Sequence, residues 1–466
     1  MKRIIATALR ATLLLVAASI LAPVAHAELK LHYNFAFDKS LIARKGPTLS
    51  ITRASSATYI DSAGVMQTAA GGVARFDHSP VSPFTSLGLL VEETRKNIAR
   101  QSGNLVSAPW TSIQTPALAT NNAISPRGIL EATLITDNNV TNREGVQQSI
   151  SVPNTTDTHV TSIFVRKTTG ATSPTFGLEM VYADGAGTVP VQIRLNTDTG
   201  VSNGVGDGGV QDFGDWWRLW GLSTNNFSGN RTLLIKVLPA LAAHGSFVDV
   251  MSTNGSAHAW GIQSEIGSTP TSYIETFGGT VFRQGDVITT TDVSWLNVLE
   301  GTFFTDTLVP EILESGGGTP AIFSLDDGTN NNRILHTYDR EPGIFRSFAF
   351  MTALGGTAHN INETALALVP RDILKMASSW GDTTLTTISN GISIRIKGGI
   401  TVPQGLNTLR FGIAAFADTQ NNGHYRELRY YNVRLDNTIL EALSNGVFPD
   451  TKGGVKVSMS GIGSTL

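Results

Sequence analysis

The stretch "HVTSIFVRK", residues 159–167, decides the fold class. Val160, Ser162, Phe164 and Arg166 fall on one side, and Thr161, Ile163 and Val165 on the other. A period of two is the mark of a β-strand, whose successive side chains leave opposite faces. Working outward, "TFGLEMVYAD", "VPVQIRLNTDTG", "DWWRLWGLST", "RTLLIKVLP" and "SAHAWGIQSEIG" follow at the spacing of a sandwich. Turn signals stand at Asp198-Thr199-Gly200 and Thr253-Asn254-Gly255. A polar passage at 277–295 closes this series, and a second opens with "GTFFTDTLV" and runs to "ELRYYNVRL". One short helix ends it, capped by Asp436 or Asn437, with Ile439, Leu440 and Leu443 as its apolar side and Asn445-Gly446 as its stop.

Composition agrees with many short strands joined by turns. Only 15% of residues are charged, glycine numbers 47, and cysteine is absent. Disulfide staples and thiolate metal sites are therefore excluded, and stability must come from buried apolar area. The formal net charge is −3, with no Lys/Arg cluster. Such a chain lacks the electrostatic footprint for nucleic acid or an anionic lipid surface.

The N-terminus reads as an export signal. Lys2, Arg3 and Arg10 supply positive charge, an apolar run follows from Ala11 to Leu21, and Ala25-His26-Ala27 is a small-residue cleavage pattern. No later stretch approaches the roughly 20 apolar residues that crossing a bilayer needs. The organisation expected is a signal peptide over 1–27 and an irregular segment over 28–100 that packs on a sandwich. A first sandwich follows over 101–276, a linker over 277–291, a second sandwich over 292–448 and a loose tail over 449–466. The fold class is all-β, two antiparallel β-sandwiches in tandem.

The motifs "ITRASSATYIDSAGVMQTA", "ARFDHSPV", "LGLLVEETRKN" and "SAPW" together resemble the start of a group of phage and prophage tail, fibre or head-spike proteins. "WGIQSEIGSTPTSYIETFGGTVFRQGDV" (260–287) resembles the closing strand and exit peptide of the sandwich that follows in that group. That sandwich is similar to carbohydrate-binding-module jelly rolls. The second sandwich is similar to laminin-G or concanavalin-A-type lectin domains, through "AIFSLDDGTNNNRILHTYD", "LKMASSWGD", "TLRFG" and "NNGHYRELRYYNVRLDNTILEALS". The leader departs from the pattern, because virion parts assembled in the cytoplasm need none. The resemblance implies a glycan-binding or adhesion protein, with a structural virion or appendage part as the alternative. The opening motif itself reads as a hairpin turning at Ser62-Ala63-Gly64 and expected to bury Tyr59, Val65 and Phe76, a packing element.

Three sets of residues carry candidate chemistry. In "DWWRLWG", alternation puts Trp216, Arg218 and Trp220 on one face, where flat rings and a guanidinium would suit a sugar; core packing is the competing reading. In "SLDDGTNNNR", Asp326, Asp327, Asn330 and Asn332 offer hard oxygen ligands suited to Ca²⁺, with Asp418 across the rim, against a plain hairpin turn. In "HYRELRYYN", His424, Tyr425, Arg426 and Glu427 superficially resemble the motifs of sandwich alginate lyases, against ordinary strand packing with solvated charges. No HExxH, GxSxG or Walker motif appears. The sequence therefore leans away from an enzyme, with a polysaccharide lyase or glycosidase as the remaining alternative. The expected partner is a polysaccharide or cell-surface glycan, with self-association into a homo-oligomer left open. The expected location is secreted, periplasmic or extracellular, with the virion as the alternative.

Overall fold

The computed structural model describes residues 27–449 and 455–457, apart from 171–174, 187–189, 242–253, 309–319, 340–345, 354–356, 363–365, 367, 369–371 and 414–421. The expected signal-peptide segment, apart from Ala27, and Asp418 lie outside the described residues. The chain is all-β, with 52% strand against 3% helix, and among the described residues every strand ladder is antiparallel.

Two compact units share the chain. One holds residues up to Thr52, Leu87–Glu93 and everything from Asp286 on; the other holds Arg53–Ser86 and Thr94–Gly285. The expected N-terminal segment is thus divided between both. The strand Leu29–Asn34 pairs with Gly423–Tyr431 and sends Leu31 and Tyr33 into the interior of its unit.

The jelly-roll unit has two six-stranded sheets. The first runs Gly208–Phe213, Trp216–Thr224, Thr158–Arg166, Gly255–Ile266, Leu130–Asp137, Ala117–Ile124. The second runs Ser202–Val205, Val191–Asn196, Thr175–Ala183, Thr232–Leu238, Gly145–Ser151, Thr111–Ile113. Alternation builds the core between them: Ile163, Val165 and Leu219 meet Leu178, Met180, Ile193, Ile235 and Val237. The other parity of the first sheet is apolar too, and Phe164, Trp216 and Trp260 leave that outer face in need of a cover. Ile60, Met66 and Tyr273 supply it.

Ile60 and Met66 come from the opening hairpin, Ala57–Ile60 with Met66–Ala69. Asp61 shapes its turn by accepting the N–H groups of Ala63 and Val65, and Gly64 takes the positive φ the turn requires. The buried parity is therefore one residue off the expected one: Tyr59, Val65 and Phe76 are only half-buried, while Ile60, Met66, Arg75 and Asp77 are enclosed. Polar groups fix this register. Asp77 accepts the N–H of Ile60, and buried Arg75 donates to the Thr58 carbonyl and the Ser272 hydroxyl. A one-residue slip would bury the opposite set of side chains.

The second unit is also a sandwich. One sheet runs Ile392–Gly398, Thr384–Ser389, Ile373–Gly381, Gly301–Leu308, Gly423–Tyr431, with Leu29–Asn34 and residues 87–91 joined to the last. The facing sheet runs Ser50–Thr52, Val287–Thr290, Thr408–Phe411, Ala321–Asp326, Arg333–Asp339, Arg346–Ala353, Thr357–Asn362. Phe303 links them, its ring 4.6 Å from Phe323 and 4.9 Å from Tyr430. Where Ser86–Val91 passes Gly423–Tyr431, a Cβ on Gly88 would lie 2.2 Å from the Tyr425 carbonyl, so the approach needs glycine. The helix Asn437–Ser444 forms as its sequence requires: Asp436 accepts the N–H of Ile439 at 3.0 Å, and Ile439, Leu440 and Leu443 cover Phe304, Ala377 and Ile388 on the outer face of the first sheet.

Candidate functional site

The second sheet of the jelly-roll unit has an apolar side toward the core and another side that is polar around Glu179, with Val181 and Leu234 beside Ser149. Its strands read L-E-M, V-Q-I-R-L and I-K-V, and the residues that miss the core, Glu179, Gln192, Arg194 and Lys236, emerge together on the opposite face. Register sets Glu179 beside both Gln192 and Lys236. Lys236 donates to the Glu179 carboxylate, as do Arg143 at 3.1 Å and the Gln192 amide at 3.1 Å. Gln192 in turn accepts from Arg194 Nε at 2.8 Å. The network crosses three strands and holds each side chain in one orientation.

Electrostatics follow from this arrangement. Burial pushes the Glu179 carboxyl up, but the bond from Lys236 and the charges of Lys236 and Arg143 outweigh it and hold the group below the usual carboxylate range. Burial and then the nearby Arg143 charge lower the Arg194 guanidinium. Toward Gly145–Ser151 and Thr111–Ile113 the face opens. There Gln147 is half-buried and Ser149 and Thr111 are exposed, and the side chains of Arg143 and Lys236 keep 26% and 21% of their surface. The outcome is a hydrogen-bonded group of charged and amide side chains with Gln147, Ser149 and Thr111 beside it.

The tryptophan strand behaves differently from the sugar platform its sequence suggests. Trp216 is 3% exposed in the cluster with Phe164 and Trp260, and Arg218, 6% exposed, donates to the Ser162 hydroxyl and the Thr271 carbonyl. Both lie under cover because the outer face of that sheet is a second core. Trp220 alone of the three is half-buried, its ring lying on Gly209, where a Cβ would come within 2.8 Å. Trp217, on the other parity, has Gly200 against its ring and Lys167 Nζ over it at 3.9 Å.

The acidic turn spends its described oxygens on its own hydrogen bonds. Neighbouring residues on a strand point apart, and so do these. Asp326 is fully buried, 3.1 Å from Arg410 Nε, and accepts from the Ser324 hydroxyl and the Gly328 N–H. Asp327 accepts from the Thr329 hydroxyl and N–H and from the Asn332 amide. Asn330 accepts from Arg333 at 2.7 Å. The oxygens expected to converge on Ca²⁺ are thus committed to the turn, and among the described residues no three His, Asp or Glu side chains are grouped as for a metal ion.

A bulge dissolves the lyase-like set. The ladder between Gly301–Leu308 and Gly423–Tyr431 slips between Asp306 and Thr307, leaving Arg426 as the extra residue. Tyr425 then enters the core, its ring 6.1 Å from Phe411, whereas Glu427 takes the register position beside Asp306. His424 is half-buried, and its carbonyl accepts from the Thr307 hydroxyl. Glu427 instead meets His32 Nε2 at 2.7 Å and Arg429 Nε at 2.6 Å. Asp306 is 3.2 Å from Arg426 Nε, and burial pushes its carboxyl up to about 6 against the pull of that cation.

Sequence reasoning missed Glu179, Gln192, Arg194, Lys236, His32 and Asp306. For all but Asp306 the signal was present, a polar residue at alternate spacing within an apolar strand; Asp306 stands between Thr305 and Thr307. Pairing order, which brings them together, is not local information.

No family model and no curated protein matches the chain. Among solved structures it is similar to the CBM40 of Ruminococcus gnavus IT-sialidase bound to alpha2,6 sialyllactose, at 13% identity and a TM-score of 0.27, over 32% of this chain and 84% of that one. It is similar to domains LG4-5 of the mouse laminin alpha1 chain at 10% identity and a TM-score of 0.21, over 62% and 86%. It is also similar to Trypanosoma rangeli sialidase at 12% identity and a TM-score of 0.27, over 68% and 60%. At these values the likenesses decide nothing about activity, and the reading rests on the chain's own residues.

Proposed function

We propose that this chain is a glycan-binding protein that acts by retention rather than turnover, and that its jelly-roll unit carries ligand on the polar sheet face bounded by Arg143, Gln147, Ser149 and Lys236. One observation carries the reading: Arg143, Lys236 and Gln192 are oriented by their hydrogen bonds to Glu179 on one sheet face, beside half-buried Gln147 and exposed Ser149. Preorganised donors and acceptors suit a ligand whose surface is mostly hydroxyl, since little ordering is left to oppose binding. The leader-like N-terminus and the phage-fibre-like opening motif support an adhesive role outside the cell, and that placement belongs to the same proposal. The test is a polysaccharide panel read for retention, for new reducing ends and for unsaturated uronates. Retention without new ends is expected; turnover, or no retention of any member, would overturn the reading.

A glycosidase or lyase reading has one observation behind it, the buried Asp306 with its raised pKa beside ionised Glu427. Both carboxylates are almost closed to solvent. The same panel separates the two readings.

A further inference from the structure

One loop of the jelly-roll unit carries an aromatic ring into solvent at a cost to its backbone. In "NNFSGN" (225–230), Phe227 is 65% exposed and has a φ of 58°, in the left-handed region. A bulky side chain rarely adopts that region, and glycine or asparagine would make the same turn at less cost. The loop is nonetheless held in this shape. The Phe227 N–H donates to the Thr155 carbonyl at 3.1 Å, and the Gly229 N–H to Asn154 Oδ1 at 3.0 Å. Asn225 donates to the Pro153 and Asn230 carbonyls, and Asn226 Nδ2 to the Ala186 carbonyl at 2.8 Å. Asn226 Oδ1 in turn accepts from Asn230 Nδ2 at 2.8 Å and from the Ser228 N–H at 3.1 Å. A strained residue that its surroundings hold in place, with its ring in solvent, points to a task outside the fold.

The surroundings of the ring select its occupant. Segments 153–157, 185–186 and 225–230, which these bonds tie together, contain one aromatic residue, Phe227, and one charged residue, Asp157. A single ring is too small an anchor for a protein partner, and it lacks the basic neighbours that an anionic lipid surface requires. It matches the apolar C–H face of one pyranose. The hydroxyls around such a sugar need donors, and two amides supply them. Among the described residues, Asn154 Nδ2 makes no hydrogen bond and Asn226 Nδ2 makes one, so both keep an N–H to give. The loop stands at the end of the strands that carry the polar face, since Thr232 pairs with both Ser151 and Ala183. Resting on the glycan-binding reading above, we propose that loop 225–230 is a sugar-stacking subsite, in which the Phe227 ring takes the C–H face of an uncharged pyranose and Asn154 and Asn226 donate to its hydroxyl oxygens.

The experiment measures retention of the full-length protein on uncharged oligosaccharides, cellohexaose, mannohexaose and a β-1,4-galactan, within a wider panel that includes charged polysaccharides. At least one uncharged member should be retained, with little change as salt is raised. Phe227→Leu keeps an apolar side chain but loses the flat ring, and should lower that affinity about tenfold. Phe227→Trp should preserve it. Phe227→Gly should lose it as well, yet keep a thermal midpoint at or above that of wild type, because glycine relieves the positive φ. Phe282→Leu, which removes an exposed ring elsewhere in the unit, should leave retention unchanged. Equal retention by wild type and Phe227→Leu, equal loss in Phe282→Leu, or retention confined to charged polysaccharides would overturn the inference while leaving glycan binding intact. So would a midpoint for Phe227→Gly several degrees below wild type, which would give the ring a structural role, or Phe227-dependent binding to phosphatidylcholine vesicles in place of sugar. Failure to retain any member of the panel would overturn the glycan reading and this inference with it.

Discussion

His336 should make the second unit acid-labile, by an amount that can be worked out. Its imidazole is fully buried between the sheets, with Nδ1 2.9 Å from the Thr305 hydroxyl and Nε2 2.6 Å from that of Ser378. Burial alone lowers its pKa from 6.5 to about 3. The folded state therefore refuses a proton that the unfolded chain accepts, and this contribution is intact above 6.5 and lost as pH falls toward 3. At pH 4.5, two units below the unfolded value, the loss is about 2.7 kcal/mol, at about 1.36 kcal/mol per unit. Asp306 works in the opposite direction. Its folded pKa, raised to about 6 by burial, makes the ionised form a cost that disappears as pH falls through that value. The raw pH profile mixes the two, so the measurement is a comparison. Urea unfolding of the full chain and of His336→Gln, followed by the amide resonances of second-unit residues at pH 7 and pH 4.5, gives the stability difference at each pH. The wild-type protein should lose about 2–3 kcal/mol relative to the variant between the two. Parallel profiles, or an imidazole resonance of folded His336 titrating above pH 5.5, would refute the argument.

His159 of the jelly-roll unit, bonded to Tyr182 at 2.7 Å and lowered by burial to about 4, should behave likewise; His159→Gln should flatten the acid limb of that unit's unfolding profile. Asp306→Asn should leave the second unit at least as stable as wild type at pH 8 and remove its gain on acidification through pH 6, read by thermal denaturation. Asp326→Asn should cost on the order of 2 kcal/mol by breaking the buried bond to Arg410, and millimolar Ca²⁺ should leave the wild-type melting temperature unchanged. Met66→Ala should cost about 2–4 kcal/mol, because the hairpin loses its anchor on Phe164 and Trp260; an unchanged midpoint would mean the hairpin contributes no cover.

Local chemistry explains what the sequence made legible. The strand series, the helix with its Asp436 cap and the Asp61–Val65 turn each depend on residues a few places apart, and all lie where the periodicity puts them. The buried parity of the opening hairpin was not legible. Tyr59 and Ile60 can each serve as a buried strand residue, and the choice between them is made by Asp77 and Arg75 through contacts with Ile60 and Thr58.

The sequence by itself determined an all-β chain with two runs of strands, since a two-residue period survives any arrangement of its neighbours. Only the tertiary structure decided what faces what. It buried Trp216 and Arg218 because the first jelly-roll sheet is apolar on both sides and the hairpin covers its outer face. It set Tyr425 and Glu427 on opposite faces through one bulge. It also gathered Glu179, Arg194, Lys236 and Arg143 from four separate segments into one network. The physical reason is common to all three: alternation tells which residues share a face of one strand, but strand order and register, set by long-range hydrogen bonds, tell which strands share a sheet.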